Sequence, residues 1–275
     1  MTISVLMSVY KSEKGPFLER ALQSVWDDQT RKPNQIVLIE DGALTNELYE
    51  VVNRWKERLG ETLTLCVNEV NLGLTKSLNK GILAVTSDLI ARMDSDDIAV
   101  PNRFKLQERF LEEHPEIDIV GGSMQEFDDE HECLNVRHYP KTHEEVCNYI
   151  VKACPLAHPS VMMRKRMFDE GLQYDENYRM SQDIKLWYDA ILAGYKIANL
   201  TEICLFFRQQ GDVFKRRSRV KAWNEFKIYM NGIYRMHGLF TLTYCYPIAR
   251  YAFRNLPPSV VKYIYGSTMR QKVLE

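Results

Sequence analysis

Three aspartates, Asp94, Asp96 and Asp97, lie within four positions of the sequence, directly after the apolar run 89–93. Like charges this close repel one another, so folding alone gains nothing from the arrangement. A divalent cation would offset the repulsion, because hard metal ions prefer oxygen ligands and often bridge protein carboxylates to the phosphates of a substrate. A solvated acidic turn is the alternative interpretation of the same residues.

The elements that must position these acids alternate over the first hundred residues in the order βαβαβαβ. This alternation favours a parallel sheet with helices on both faces. The carboxyl ends of the strands then share one edge, which is where open α/β sheets bind ligands. We predict strands at 3–9, 35–39, 63–67 and 89–93, and helices at 17–26, 48–59 and 75–84.

The pattern is less regular beyond Pro101. We predict helices at 104–113, 161–168 and 183–192, and strands at 118–122 and 197–207. The helix at 183–192 ends before Gly194, as expected from the preference for glycine after a helix.

The last 64 residues differ in charge from the rest of the chain. From Asp212 onward there are 12 Lys and Arg against 3 Asp and Glu, a net charge of +9, whereas the preceding residues hold 24 against 34. Aromatic and aliphatic residues at three- and four-residue spacing over 223–234 predict a helix with an apolar face, and 244–253 and 260–265 interleave aromatic with basic residues. Basic amphipathic helices of this kind bind the membrane interface. Packing on the same chain or on a dimer partner is the alternative, and nothing else resembles a nucleic-acid module.

The cysteines and the hydropathy indicate a cytoplasmic protein. The six cysteines are scattered without a CxxC pair, which argues against a zinc site or a disulfide framework. We see neither a signal-peptide pattern nor an uncharged apolar run of about 20 residues, so we expect no membrane-spanning helix.

Five motifs occur in a fixed order: Ser8-Val9-Tyr10, Glu40-Asp41-Gly42, Asn71-Leu72-Gly73-Leu74, Asp94-Ser95-Asp96-Asp97 and Ser181-Gln182-Asp183. With them, over residues 2–210, the sequence resembles the inverting family 2 glycosyltransferases of the GT-A fold. Among these it is most similar to bacterial enzymes that build O-antigen and exopolysaccharide. The resemblance implies an α/β fold with one Rossmann-like, mostly parallel sheet and flanking helices. Residues 1–100 would form a nucleotide-sugar-binding half and 101–211 an acceptor-binding half. Residues 212–275, beyond the resemblance, are expected to form a C-terminal helical extension that is a candidate for contact with a membrane surface.

The resemblance also implies which residues bind the nucleotide. Asp41 would accept a hydrogen bond from the base, and Lys76 would reach the diphosphate as a point charge. Taken singly, Tyr10 is equally a half-buried aromatic residue, Asp41 a turn residue and Lys76 a solvated one. The full expected nucleotide set is Ser8, Val9, Tyr10, Asp41, Asn71, Gly73, Lys76, Asp94 and Ser95.

Asp96 is the expected direct ligand of Mn²⁺ or Mg²⁺. Asp97 would lie behind the metal or contact the sugar. Arg208 and the run Lys215-Arg216-Arg217 lie where the family often has a basic loop that closes over the diphosphate, where positive charge would offset the charge developing on the leaving group. A solvated basic run is the competing interpretation.

Asp183 is the residue that the resemblance implies as general base. Inverting transfer needs one carboxylate to take the proton of the acceptor hydroxyl as it attacks the anomeric carbon. The family usually has Glu-Asp here, and Gln182 replaces the first carboxylate. The expected acceptor or sugar residues are Asp97, His158, Gln182 and Arg208. The alternative for Asp183 is a carboxylate stabilised by the helix dipole. His158 matches a family position near the acceptor or the metal, although a lone histidine is commonly structural.

The expected function is therefore transfer of a hexose from a nucleotide sugar, expected to be UDP-linked, to a polyprenyl-diphosphate-linked saccharide or oligosaccharide acceptor at the inner face of the cytoplasmic membrane. Two other functions stay open. A sugar nucleotidyltransferase shares the fold and the paired carboxylates but usually has a glycine-rich loop after the first strand, where residues 10–15 hold one glycine. A non-catalytic nucleotide-sugar-binding protein is the other.

Overall fold

Four parallel strands form the first half of the sheet, as the alternating pattern predicts. In the computed structural model, which describes residues 1–128, 133–209 and 219–256, they lie in the order β3-β2-β1-β4. Their carboxyl ends share one edge because every crossover runs the same way. The strands are β1 (Ile3–Val9), β2 (Gln35–Asp41), β3 (Leu63–Asn68) and β4 (Leu89–Asp94).

Helices cover both faces of these strands. Helices α1 (Gly15–Trp26) and α2 (Asn46–Leu59) bury apolar side chains against alternate residues of β1, β2 and β4. Helix α3 (Leu74–Leu83) packs on the other face, where a Cβ on Gly81 would lie 2.6 Å from side-chain atoms of Leu6 and Ile39. Glycine at this position therefore lets α3 approach the sheet closely.

The second half of the sheet is mixed. The full strand order is β3-β2-β1-β4-β8-β6-β9-β5, with β7 paired to β6. Strands β6 and β9 are parallel over eight residue pairs, and the antiparallel pairs are shorter. The prediction of a mostly parallel α/β sheet with flanking helices is confirmed. The remaining elements are β5 (Ile98–Ala99), α4 (Arg103–Glu113), β6 (Ile119–Phe127), β7 (Asn135–Arg137), α5 (His143–Ile150), β8 (Met162–Arg164), α6 (Arg166–Asp169), α7 (Gln182–Leu192) and β9 (Ile197–Arg208).

The predicted helix at 161–168 is wrong for its first half. Residues Met162–Arg164 form β8, which bonds to β4 on one side and to β6 on the other, and only the four residues of α6 are helical. Met162 and Met163 are completely buried. An apolar run of this length fits a buried strand as well as a helix, and pairing with two neighbouring strands decides between them.

Residues 211–275 form a second compact unit, separate from the unit of residues 1–210. Its helices are α8 (Arg219–His237) and α9 (Cys245–Arg254), so helices follow the sheet as predicted. The rings of Trp223 and Phe226 on α8 pack against Tyr251 on α9, with centroids 5.7 and 5.0 Å away. The aromatic stretch predicted at 260–265 lies outside the described residues. Within the described parts of the chain, we find no helix with the length and hydropathy of a membrane span.

Candidate active site

The three aspartates of the acidic motif converge at the carboxyl end of β4. Carboxylate oxygens of Asp94, Asp96 and Asp97 lie within 4.8 Å of one another. Asp97 is buried, and its Oδ1 accepts a hydrogen bond from the backbone N–H of Arg208 at 2.9 Å. Its Oδ2 is buried without a hydrogen-bond partner among the described residues. Three carboxylates with an unpartnered buried oxygen form a donor set that suits a hard divalent cation.

The electrostatics of this cluster also favour a cation. Burial, followed by the negative charges of Asp94 and Glu13, raises the pKa of Asp96 to about 6. Burial, followed by the charges of Asp94 and Asp96, raises the pKa of Asp97 well above its ordinary value. A bound cation would offset both burial and repulsion, and would lower the pKa of both groups.

Glu13 is a fourth carboxylate at this edge that the sequence analysis did not select. It lies in the turn after β1, and its Oε2 accepts a hydrogen bond from the hydroxyl of Ser95 at 3.1 Å. Its position, four residues after the end of β1, could have indicated a place at the site. Residues that follow parallel strands lie at the ligand-binding edge of the sheet.

Arg92 provides a buried positive charge beside the acidic cluster. Its side chain is 2% exposed, and Nη2 donates to Oδ1 of Asp94 at 2.5 Å. Burial opposes the charged form most strongly, but the charge and the hydrogen bond of Asp94 outweigh it and the pKa of Arg92 is raised. Nε and Nη1 have no hydrogen-bond partner in the described parts of the chain. Removing Arg92 would leave the half-buried Asp94 without its counter-charge.

Asp41 organises the loop that precedes α3. Its buried carboxylate accepts hydrogen bonds from the backbone N–H groups of Leu72 at 2.7 Å and Gly73 at 2.9 Å, and from the side-chain amide of Asn68 at 3.0 Å. The side-chain amide of Asn71 donates to the backbone carbonyl of Asp41 at 3.2 Å. Gly73 has a φ of +86°, a conformation that favours glycine. The structural role of Asp41 is to hold this loop. Contact between Asp41 and a base stays a prediction.

The other predicted nucleotide residues lie at the same sheet edge or on the adjoining helix. Ser8, half-buried, is opposite Asp94 in the β1–β4 register, Val9 is buried, and Tyr10 is 47% exposed. Lys76 is exposed on the first turn of α3, with Nζ 3.9 Å from a carboxylate oxygen of Glu176. Exposed pairs of this kind contribute little to stability, so Lys76 remains available to an anion.

Arg179 also borders this loop, although the sequence analysis did not select it. Its Nε and Nη2 lie 3.3 Å from the position that a Cβ on Gly73 would take. A side chain at position 73 would therefore crowd the guanidinium as well as strain the backbone. The residue precedes the Gln182-Asp183 motif by three positions, and no spacing rule connects it with Gly73.

Asp183 is half-buried in the first turn of α7, as predicted. The residue before the helix, Ser181, has a left-handed φ of 64°, and Gln182 is buried. The thiol of Cys154 lies 3.8 Å from Oδ2 of Asp183. A carboxylate at a helix N-terminus is stabilised by the helix dipole, which is compatible with a role as base.

Tyr174 is influenced by the charges of both Asp94 and Asp183. The residue is completely buried, and burial raises the pKa of its phenol. The charge of Arg92 opposes this change, and the charges of Asp183 and Asp94 add to it. Asp183 and Asp94 are therefore both within electrostatic range of one phenol. A shared site for the predicted base and the acidic cluster stays a prediction.

His158 is a buried residue beside Tyr174. Burial, followed by the charge of Arg92, lowers its pKa well below the ordinary value. Its Nε2 lies 2.7 Å from the hydroxyl of Tyr174, and its ring packs edge-on against Trp187 of α7 at 5.9 Å. Trp187 is completely buried. Contact between His158 and an acceptor or a metal stays a prediction.

Arg208, the last residue of β9, is hydrogen-bonded to the segment that carries Asp96 and Asp97. Its guanidinium lies 4.0 and 4.5 Å from the ring centroids of Phe17 and Phe127, and Nε donates to the backbone carbonyl of Asp96 at 3.0 Å. Stacking between two rings fixes the planar group. The predicted basic loop at Lys215-Arg216-Arg217 lies outside the described residues.

Comparison with known proteins establishes the family. The family described as Glycosyl transferase family 2 matches residues 4–172. The amylovoran biosynthesis glycosyltransferase AmsE of Erwinia amylovora is 32% identical over 95% of this chain and 97% of its own length. The UDP-Gal:alpha-D-GlcNAc-diphosphoundecaprenol beta-1,3-galactosyltransferase of Escherichia coli is 29% identical over 98% of this chain and 96% of its own. The chain belongs to the family 2 glycosyltransferases and is a transferase.

A solved structure agrees on the fold. The crystal structure of TarS residues 1–349 from S. aureus in complex with UDP has a TM-score of 0.65 and 17% sequence identity, and it covers 98% of this chain and 73% of the TarS chain. This likeness confirms the predicted GT-A fold.

Proposed function

We propose that this chain is an inverting hexosyltransferase of bacterial polysaccharide synthesis, with a UDP-linked donor and a polyprenyl-diphosphate-linked acceptor. The observation that carries the proposal is the convergence of Asp94, Asp96 and Asp97 at the carboxyl end of β4. Asp183 supports it, because its charge and that of Asp94 both act on the phenol of Tyr174. The names of two relatives support the pathway and the substrates, since one acts in amylovoran biosynthesis and the other uses UDP-Gal and a diphosphoundecaprenol-linked sugar. The UDP complex of TarS supports the donor nucleotide.

The donor half, residues 1–100, would bind the nucleotide across the carboxyl ends of β1, β2 and β4. Asp41 fixes the loop that contacts the base, and Asp94 faces the ribose. Asp96 would hold Mn²⁺ or Mg²⁺ together with Asp97. The cation, when bound, neutralises charge on the departing diphosphate. Arg208 fixes the turn that carries these ligands.

Asp183 would carry out the proton transfer in the acceptor half, residues 101–211. It takes the proton of the acceptor hydroxyl while the hydroxyl oxygen bonds to the anomeric carbon and the bond from that carbon to the diphosphate oxygen breaks. Attack from the face opposite the leaving group inverts the configuration, and no covalent intermediate forms on the enzyme. Gln182, a neutral amide that can donate and accept hydrogen bonds, would contact the acceptor.

A ligand panel tests the donor and separates the alternatives. With Mn²⁺ or Mg²⁺ present, one UDP-sugar is expected to raise Tm more than the other nucleotide sugars, because a ligand that binds only the folded chain stabilises it by mass action. Slow hydrolysis of that sugar nucleotide would exclude a purely binding role. Release of pyrophosphate from UTP and a sugar 1-phosphate, without any transfer, would instead establish the nucleotidyltransferase alternative.

The C-terminal unit carries an exposed apolar turn between α8 and α9. Phe240 is 99% exposed, Leu242 91% and Leu239 67%. Arg254 of the same unit pairs with Glu225 at 2.8 Å, so part of its basic charge is already partnered. We propose that this turn inserts into the inner face of the cytoplasmic membrane, where a lipid-linked acceptor would be located.

Replacing Phe240 and Leu242 together with serine is expected to lower the partition coefficient for phosphatidylglycerol vesicles by at least about 10-fold, because burying one large apolar side chain is worth about 1.5–3 kcal/mol. Leu83→Ser is the matched control, because Leu83 is 86% exposed on α3. Vesicle sedimentation measures the effect. Equal binding by the double variant and the wild type would assign membrane contact to another surface, and no wild-type binding would exclude it.

A further inference from the structure

Residues 174–178, here called the strap, are hydrogen-bonded to α3 and precede α7, the helix that carries Asp183. Two side chains of α3, one turn apart, hold its two ends. The amide of Asn79 donates to the backbone carbonyl of Tyr174 at 2.9 Å and accepts from its N–H at 3.0 Å. The hydroxyl of Thr75 donates to the backbone carbonyl of Tyr178 at 2.7 Å. The amide of Asn79 also donates to a carboxylate oxygen of Glu176 at 3.3 Å. The strap is thus fixed to α3 by four hydrogen bonds, two of them a reciprocal pair.

The side chain of Tyr174 makes the connection on the other side. It is completely buried, with its ring stacked on Phe168 at 6.4 Å and its hydroxyl 2.7 Å from Nε2 of His158. The ring of His158 packs in turn on Trp187, one turn beyond Asp183 on α7. A continuous line of packed and hydrogen-bonded groups therefore runs from α3 to α7.

Both ends of this line adjoin residues of the proposed reaction. Helix α3 begins directly after Gly73, whose N–H is held by Asp41. Asp183 follows Tyr178 by only five residues. A shift of the strap along α3 would therefore move Asp183 relative to the donor loop.

We propose that Thr75, Asn79 and Tyr174 are positioning residues that set the location of Asp183 relative to the bound sugar donor. The inference rests on the proposed function. None of the three needs to touch the reacting atoms. Displacement of a catalytic group by about 1 Å is enough to cost on the order of 10²-fold in rate, so small losses of fit in the strap have large effects on turnover.

Tyr174→Phe tests this role by removing one hydroxyl and keeping the ring. We expect kcat per UDP-binding site to fall by about 10-fold or more, while the Kd for UDP with Mn²⁺ stays within about 2-fold, because the donor loop keeps its own bonds to Asp41. Tyr195→Phe is the matched control. Its hydroxyl donates to Glu170 at 2.6 Å, two residues before β9 begins, and its removal is expected to leave kcat unchanged.

A double-mutant cycle shows whether the strap acts through Asp183. In an Asp183→Asn background, Tyr174→Phe is expected to cause little further loss, because the group being positioned has lost its chemistry. Thr75→Val, which removes a buried hydroxyl at nearly constant volume, repeats the test if Tyr174→Phe does not fold. Unchanged kcat in the folded variants, or full additivity with Asp183→Asn, would overturn the inference. Absence of transfer by the wild type would instead overturn the proposed function.

Discussion

Asp183→Asn is expected to lower kcat for sugar transfer by about 10²–10⁴-fold, the range that a general base contributes. Asparagine has nearly the same size as aspartate but cannot take the proton of the acceptor hydroxyl. The Kd for UDP is expected to stay within about 2-fold, because the residues assigned to the nucleotide lie on β1, β2, β4 and α3 rather than on α7. Steady-state kinetics and calorimetric titration with UDP measure the two quantities.

Asp189→Asn is the matched control for this substitution. Asp189 lies on the same helix, is also half-buried, and pairs with Nζ of Lys185 at 2.5 Å. Its loss removes one (i, i+4) pair worth about 0.3–0.5 kcal/mol, so kcat should be close to that of the wild type. Normal turnover by Asp183→Asn would show that another residue takes the proton.

Asp96→Asn is expected to abolish the metal dependence of nucleotide binding. For the wild type, EDTA should weaken UDP binding by about 10²-fold or more, because the cation holds the diphosphate to the protein. For the variant, UDP should bind weakly with or without Mn²⁺. Asp169→Asn is the control and should behave like the wild type. It removes a carboxylate of α6 that pairs with Lys165. Equal affinity of the wild type in EDTA and in Mn²⁺ would contradict a metal site at this cluster.

The same site gives nucleotide binding a pH dependence. Because the pKa of Asp96 is raised to about 6, protons compete with the cation, and the affinity for UDP with Mn²⁺ should fall as pH decreases through 6. Without metal, the contribution of Asp96 to the free energy of unfolding changes in the opposite direction and increases as pH decreases. The folded chain binds this proton more tightly than the unfolded chain, whose aspartate titrates near 3.8, so the contribution to stability rises as pH falls between these values. Comparing Tm of the wild type and Asp96→Asn in EDTA at pH 7.5 and 5.5 isolates this effect.

The first half of the fold could be predicted closely from the sequence. Strands β1 to β4 are short apolar runs separated by amphipathic helices, and their ends differ from the predicted ones by no more than two residues. Local periodicity is sufficient here because β1, β2 and β4 are buried on both faces. The partly exposed β3 ends the sheet and pairs with β2 alone among these strands. It failed at 161–168, where pairing of β8 with β4 and β6 decides the conformation.

The sequence indicated several residues of the candidate site, but it did not indicate which groups those residues contact. Asp41 was predicted to bind a base, and the structure adds that its carboxylate holds the backbone of Leu72 and Gly73. Arg92 was overlooked because it lies inside an apolar run, where a charged residue carries no periodic signal. Tyr174 and Asn79 are 95 residues apart, and spacing rules for single elements do not connect residues so distant in sequence.

The anomeric configuration of the product tests the central claim most directly. The donor selected by the ligand panel, with its α-linked UDP, is incubated with the wild type and a lipid-linked saccharide acceptor, and the new linkage is assigned by NMR. Direct attack with Asp183 as base predicts a β-linked product and one UDP released per bond formed. An α-linked product would contradict the mechanism, because retention requires two displacements or a different path.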